Sequence, residues 1–161
     1  METKKMGEIY QKIANKMNIM IPVEWNELYL YGEVIENDST TGYFYFSPQN
    51  SNKFEQGLCI TENYNVDKGA FKKLRRELFS LFVELYQEYK NNNAEVWSNF
   101  TMYLNYNGKF KVDFDYDDVL KMSNSDRRVV WEHKYLGIYP THEYDKKRLD
   151  DYIKDNQNEK K

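Results

Sequence analysis

Four carboxylates crowd one short stretch of this chain: Asp113, Asp115, Asp117 and Asp118. Three of them spell D-x-D-x-D, the opening of a calcium-binding loop. Such a loop needs Gly at its sixth position for the sharp turn and a bidentate Glu at its twelfth. Asp118 and Asn124 stand there instead. The acids also alternate with Phe114 and Tyr116, which is strand spacing, so same-face carboxylates lie about 6.6 Å apart along the chain. Calcium is therefore not expected. General acid–base work needs two carboxylates with separated pKa values in a dry pocket, and a solvent-facing strand provides neither.

The other reactive side chains are sparse. His133 and His142 lack the i, i+4 spacing of a helical zinc pair, and no Cys or Glu set completes a site. Cys59 is the single cysteine and has no histidine near it in sequence, so it reads as an incidental or buried thiol in a reducing compartment. Seven glycines, none clustered, offer no phosphate-cradling loop. No catalytic residue, cofactor or metal is expected. Lys68, Lys72, Lys73, Arg75 and Arg76 make the start of one long helix basic, but Glu77, Glu84 and Glu88 follow on the same helix. That is the look of a solvated face rather than a nucleic-acid patch.

What positions the carboxylates is a hairpin. Phe100, Met102 and Leu104 alternate with Thr101, Tyr103 and Asn105. Phe110, Val112, Phe114 and Tyr116 alternate with Lys111, Asp113, Asp115 and Asp117. A two-residue turn at Asn107–Gly108 would set Leu104 against Lys111. A three-residue turn, Tyr106-Asn107-Gly108, sets Leu104 against Phe110 and Met102 against Val112, with Gly108 at the left-handed position. The second reading keeps one face apolar. It leaves Tyr103, Lys111, Asp113, Asp115 and Asp117 for water or a partner.

Around the hairpin, apolar spacing marks a helix over residues 3–20, ended by Pro22, and the strongest helix over 67–90, with Asp67 as N-cap and the Asn91–Asn93 run as its stop. Strands are expected over Trp25–Ile35 and Tyr43–Phe46, with a short edge strand near Leu58–Thr61. A helix over Asp126–Leu136 should end at Gly137, and a weaker one should span Glu143–Ile153. The order gives α+β: a mainly antiparallel sheet built from hairpins, with helices packed on one face, in a single domain over residues 1–155. Residues 156–161 should fray.

The chain has 161 residues and a net charge of −3, too balanced for a basic field toward nucleic acid. Aromatic content is 17%, driven by 15 tyrosines, which suit strand faces and core edges and also contact surfaces. No stretch approaches the roughly 20 apolar residues of a membrane span, and the N-terminal residues lack a signal-peptide core, so a cytoplasmic protein is expected.

The chain resembles the YezG-like immunity protein family. The resemblance rests on M-x-x-I-Y-Q-K-I-A from Met6 to Ala14, M-I-P-V-E-W from Met20 to Trp25, Y-F-Y-F from Tyr43 to Phe46, and the L-x-x-L-F-x-E-L helix around Leu78 to Leu85. E-V-W-S-N-F-T from Glu95, G-K-F-K-V-D-F-D-Y-D-D from Gly108 and L-G-I-Y-P from Leu136 to Pro140 complete it. The resemblance implies a cytoplasmic antitoxin of an LXG-type polymorphic toxin. It implies direct binding to the toxin's C-terminal domain, commonly a nuclease, and no catalytic motif. With that implication, the partner-binding residues expected are Asp113, Asp115, Asp117 and Asp118, flanked by Tyr103 and Tyr106. A protein-binding adaptor domain unrelated to toxins is the other reading. The sequence sets no oligomeric state.

Overall fold

The structure, a computed structural model, describes residues 2–159. Its elements are α1 (Lys4–Met20), β1 (Trp25–Ile35), β2 (Ser39–Pro48), β3 (Glu55–Gln56), α2 (Ile60–Asn63), α3 (Lys68–Asn92), β4 (Asn99–Asn105), β5 (Phe110–Asp115), α4 (Asn124–Leu136) and α5 (Glu143–Glu159). Within the stretch read as one domain, the chain divides into two compact units, Met1–Asp117 and Asp118–Lys161.

The first unit is a five-stranded sheet in the order β3-β2-β1-β4-β5, with antiparallel neighbours throughout. Register fixes two different faces. Leu28, Leu30 and Val34 of β1 share a face with Phe44 and Phe46 of β2 and with Phe100, Met102 and Leu104 of β4. This face packs on the apolar stripes of two helices: Met6, Ile9, Ile13, Met17 and Met20 from α1, and Phe71, Leu78, Phe82 and Leu85 from α3. Side chains at period two on the strands meet side chains at period 3.6 on the helices, and both patterns close one core. Each helix starts on a side-chain cap. Thr3 accepts from the Met6 amide and Asp67 from the Ala70 amide.

Gly32 sits where β1 passes over the Phe100 ring. A Cβ there would lie 2.4 Å from Phe100 Cε1, so only glycine lets the two strands pair at that point. Phe100 in turn meets Phe82 and Trp97 edge to face at 5.1 and 5.2 Å.

The expected edge strand at Leu58–Thr61 is not there. The edge is β3, two residues earlier, and residues 57–63 turn into short helical segments. Gly57 lies against the Phe44 ring, 2.4 Å from where a Cβ would stand, and Ile60 rather than Leu58 is buried. That spacing of buried positions suits a helical turn, not alternation.

The second unit contains a short helical turn at Val119–Lys121, then α4 and α5. Ser123 caps α4, and Gly137 ends it in the left-handed conformation at φ 68°. Arg148 of α5 donates through Nε and Nη2 to Asp126 Oδ2 of α4, at 3.0 and 2.8 Å. α5 continues to Glu159, beyond the Ile153 limit expected. The last residues of the expected frayed tail, 160 and 161, lie outside the described residues.

Candidate partner-binding surface

The hairpin forms in the register that parity demands. Leu104 pairs with Phe110, Met102 with Val112, Thr101 with Asp113 and Asn99 with Asp115. The loop is Tyr106-Asn107-Gly108, with Gly108 at φ 84°. The Asn105 amide donates to the Lys109 carbonyl at 3.1 Å. The Asn105 side-chain oxygen accepts from the amides of Asn107 and Lys109 at 3.0 and 2.9 Å. One asparagine thus satisfies most of the loop's backbone donors, as turn-forming Asn does.

Asp113 and Asp115 occupy β5 on the face opposite α1 and α3, beside Lys111. Lys111 Nζ lies 3.7 Å from Asp113 Oδ1, and both side chains are well exposed at 69% and 43%. A pair so open to water contributes little to stability. Asp115 is exposed, and its Oδ1 accepts from the Asp117 amide at 3.0 Å. β5 stops there. Ser98 Oγ donates to the carbonyls of Asp115 and Asp117 at 3.1 and 2.5 Å, which pulls the chain into a bend. Asp117 therefore stands in that bend and not in the strand row expected for it. Asp118 opens the second unit and spends its Oδ1 on the Leu120 amide at 2.9 Å, as the cap of the short helical turn.

Tyr106 projects from the loop and is 65% exposed. Tyr103 is half-buried, its ring 4.9 Å from that of Tyr29. Its hydroxyl donates to Glu27 Oε1 at 2.8 Å. Burial first, and then this bond to a carboxylate, push the Tyr103 phenol up to about 12. Glu27 was not singled out in the sequence. The signal was the β1–β4 register, which a linear reading does not supply. It borders a polar cleft with Asn26, Ser47, Ser51, Asn52, Asn105 and Tyr106, at the loop end of the hairpin. Further in, the face is closed. Tyr31, Glu33, Tyr45 and Thr101 are all buried, and Tyr31 gives its hydroxyl to Glu33 Oε1 at 2.7 Å. Exposure on this face thus grows toward β5.

Among the described residues, no three His, Cys, Asp or Glu side chains are grouped to hold a metal ion. His142 Nδ1 accepts from the Tyr144 amide at 3.3 Å, and the His133 ring lies 6.4 Å from Tyr139. Cys59 is half-buried. No described helix is long and apolar enough to cross a membrane. At the basic start of α3, Arg75 covers the Phe79 ring at 5.2 Å, and Lys16 of α1 bonds Glu77 at 2.5 Å, holding that carboxyl below its usual range.

The model of the family described as Immunity protein YezG-like matches residues 6–150. This chain belongs to the YezG-like immunity protein family. It is 42% identical over 159 residues to Immunity protein YezG of Bacillus spizizenii strain W23, covering 98% of each chain. It is 43% identical over 150 residues to Immunity protein YezG of Bacillus subtilis strain 168, covering 92% of this chain and 99% of the relative. A more distant relative is the type VII secretion system protein EsaG of Staphylococcus aureus strain NCTC 8325. It is 30% identical over 156 residues, which cover 94% of this chain and 95% of that protein. The YezG-like match includes both strand pairs of the sheet and the whole acidic hairpin.

Proposed function

We propose that this chain is the cytoplasmic antitoxin of a secreted LXG-type toxin. In this reading it binds the toxin's C-terminal domain, a nuclease, and neutralises it inside the producing cell by contact alone, with no catalytic step. The observation that carries the reading is the match to immunity proteins over nearly the entire chain, with the sheet and the acidic hairpin inside the matched region. The relative named for a type VII secretion system fits a partner destined for export.

Physical chemistry favours a nuclease as that partner. An enzyme that grips a polyanion carries a cationic cleft. Asp113 and Asp115 on a paired strand, with Asp117 in the bend beyond, offer that cleft carboxylates in place of phosphates. Tyr106, exposed at the hairpin tip, and Tyr103 supply amphipathic contact area beside them. Charges so placed act mainly on encounter rate and partner choice.

The test is capture of the partner from the native host on the tagged chain. The captured protein's C-terminal domain is then expressed with and without this chain, and its action on DNA and RNA is measured. Toxicity relieved by co-expression, with nuclease activity suppressed in the purified complex, is the expected result. A captured partner that is harmless alone would favour an adaptor role and overturn the reading.

A further inference from the structure

β5 is the outer strand of the sheet. Among the described residues it pairs only with β4. The direction of its backbone groups follows from the hairpin bonds. The Asn105 amide donates to the Lys109 carbonyl, and the Tyr106 amide donates the other way, to the Asn26 carbonyl beside β1, so the odd residues of β4 face β5. Hydrogen-bonded and non-bonded pairs alternate along an antiparallel ladder by residue parity. The backbone groups of Lys111 and Asp113 therefore point to β4, and those of Phe110, Val112 and Phe114 point outward. This edge offers a row of donors and acceptors of the kind that templates another strand.

The side chains of this edge are ordered by sign. The run Lys109-Phe110-Lys111-Val112-Asp113-Phe114-Asp115 places cations before its midpoint and anions after it, symmetrically about Val112. A second copy laid antiparallel about Val112 matches every position. Lys109 meets Asp115 of the other copy, Lys111 meets Asp113, Phe110 meets Phe114, and Val112 meets itself. Parity agrees with this register. The residues meeting in hydrogen-bonded pairs are Phe110, Val112 and Phe114, whose backbone groups point outward. The charged pairs fall at non-bonded positions, where side chains are closer. Moving the axis by one residue to Lys111 or Asp113 sets two like charges face to face at the axis, which is destabilising in a cross-strand pair. The edge thus favours its own copy in one register. Phe110, 39% exposed on a single copy, gains an aromatic neighbour in the pairing.

We infer that the chain forms an isologous dimer in which β5 pairs with β5 of a second copy about Val112, joining two sheets into one. A two-fold axis normal to the sheet relates the copies and keeps α1 and α3 of both on the same side, as a self-complementary patch requires. The inference concerns the free chain: the pairing occupies Asp113 and Asp115, the carboxylates that the proposed antitoxin role offers to the toxin, so toxin binding there would compete with it.

The purified full chain is followed by sedimentation velocity from micromolar to near-millimolar concentration. A concentration-dependent dimer is expected. Lys109→Asp and Asp115→Lys each set like charges opposite one another twice, and each should raise the dissociation constant about tenfold or more. The combined Lys109→Asp, Asp115→Lys variant restores opposite charges and should return it close to the wild-type value. Hydrogen exchange on the wild-type chain gives a second reading without any substitution. The amides of Phe110, Val112 and Phe114 should gain protection as concentration rises, while those of Lys111 and Asp113 stay protected throughout. A wild-type chain that remains monomeric overturns the inference and leaves the edge to a strand of another protein. So does a dimer that both single variants leave intact, or protection at the three outward amides that does not change with concentration.

Discussion

Tyr103 of β4 gives its hydroxyl to Glu27 of β1 at 2.8 Å, a side-chain bond between two strands already joined by their backbones. The phenol is held at about 12, above its ordinary 10.0. A proton held more tightly in the folded state stabilises that state fully below pH 10 and ceases to do so as pH rises through 12. Tyr103→Phe should cost about 1 kcal/mol at neutral pH. Its denaturation curve should converge with that of the wild type between pH 10 and 12. Urea midpoints measured at intervals from neutral pH upward check this. Parallel curves would mean that the bond does not form in solution.

Charge reversal at Asp113 and Asp115 tests the proposed toxin-binding surface. With both changed to Lys, association with the toxin domain should slow about tenfold or more at low salt, with a smaller effect at high salt. Stopped-flow association at two ionic strengths, with circular dichroism to verify the fold, measures it. Undiminished binding by a folded double variant would place the toxin contact elsewhere on the chain.

Gly32→Ala tests the close approach of β1 to Phe100. The added methyl meets a ring that is itself enclosed, so Phe100 must shift against Phe82 and Trp97. Overpacking of this kind costs about 1–3 kcal/mol. Thermal unfolding of the variant should show the loss, and Gly7→Ala, where a Cβ meets nothing within 4 Å, is the control.

Asp67→Ala removes the carboxylate that accepts from the Ala70 amide at 2.8 Å. The loss should be about 1 kcal/mol, and Asp67→Asn, which keeps an acceptor, should recover most of it. Chemical denaturation of the three proteins distinguishes capping from charge, because an Asn that recovers nothing would point to charge alone.

The elements with strong periodicity were readable from the residues, namely α1, α3, β1 and the hairpin with its turn. There, local pattern and tertiary burial agree. The misread places are those where contacts distant in sequence decide. Leu58 to Thr61 reads as strand-like, but Gly57 packs tightly on the Phe44 ring of β2 and the chain turns helical from there. The alternation through Asp117 looked like continued strand, but the Ser98 hydroxyl bends the backbone after Asp115. Of the candidate surface, Asp113 and Asp115 were legible from alternation alone. The buried Glu33 and the Tyr103–Glu27 bond were not, because each depends on which strand lies beside which.

The sheet's central seam has a consequence for biosynthesis. β1 pairs on one side with β2, its immediate successor, and on the other with β4, which the ribosome delivers only after α3. Until Asn99 to Asn105 emerge, the inner edge of β1 has no partner, and the apolar face around Leu28 and Leu30 is open on that side. Closing the β1–β4 seam costs the entropy of a loop that spans β2 and α3, and its contacts are gained only once that cost is met. A nascent or truncated chain that ends before Asn99 presents a bare hydrophobic strand edge, the kind of surface that invites aggregation.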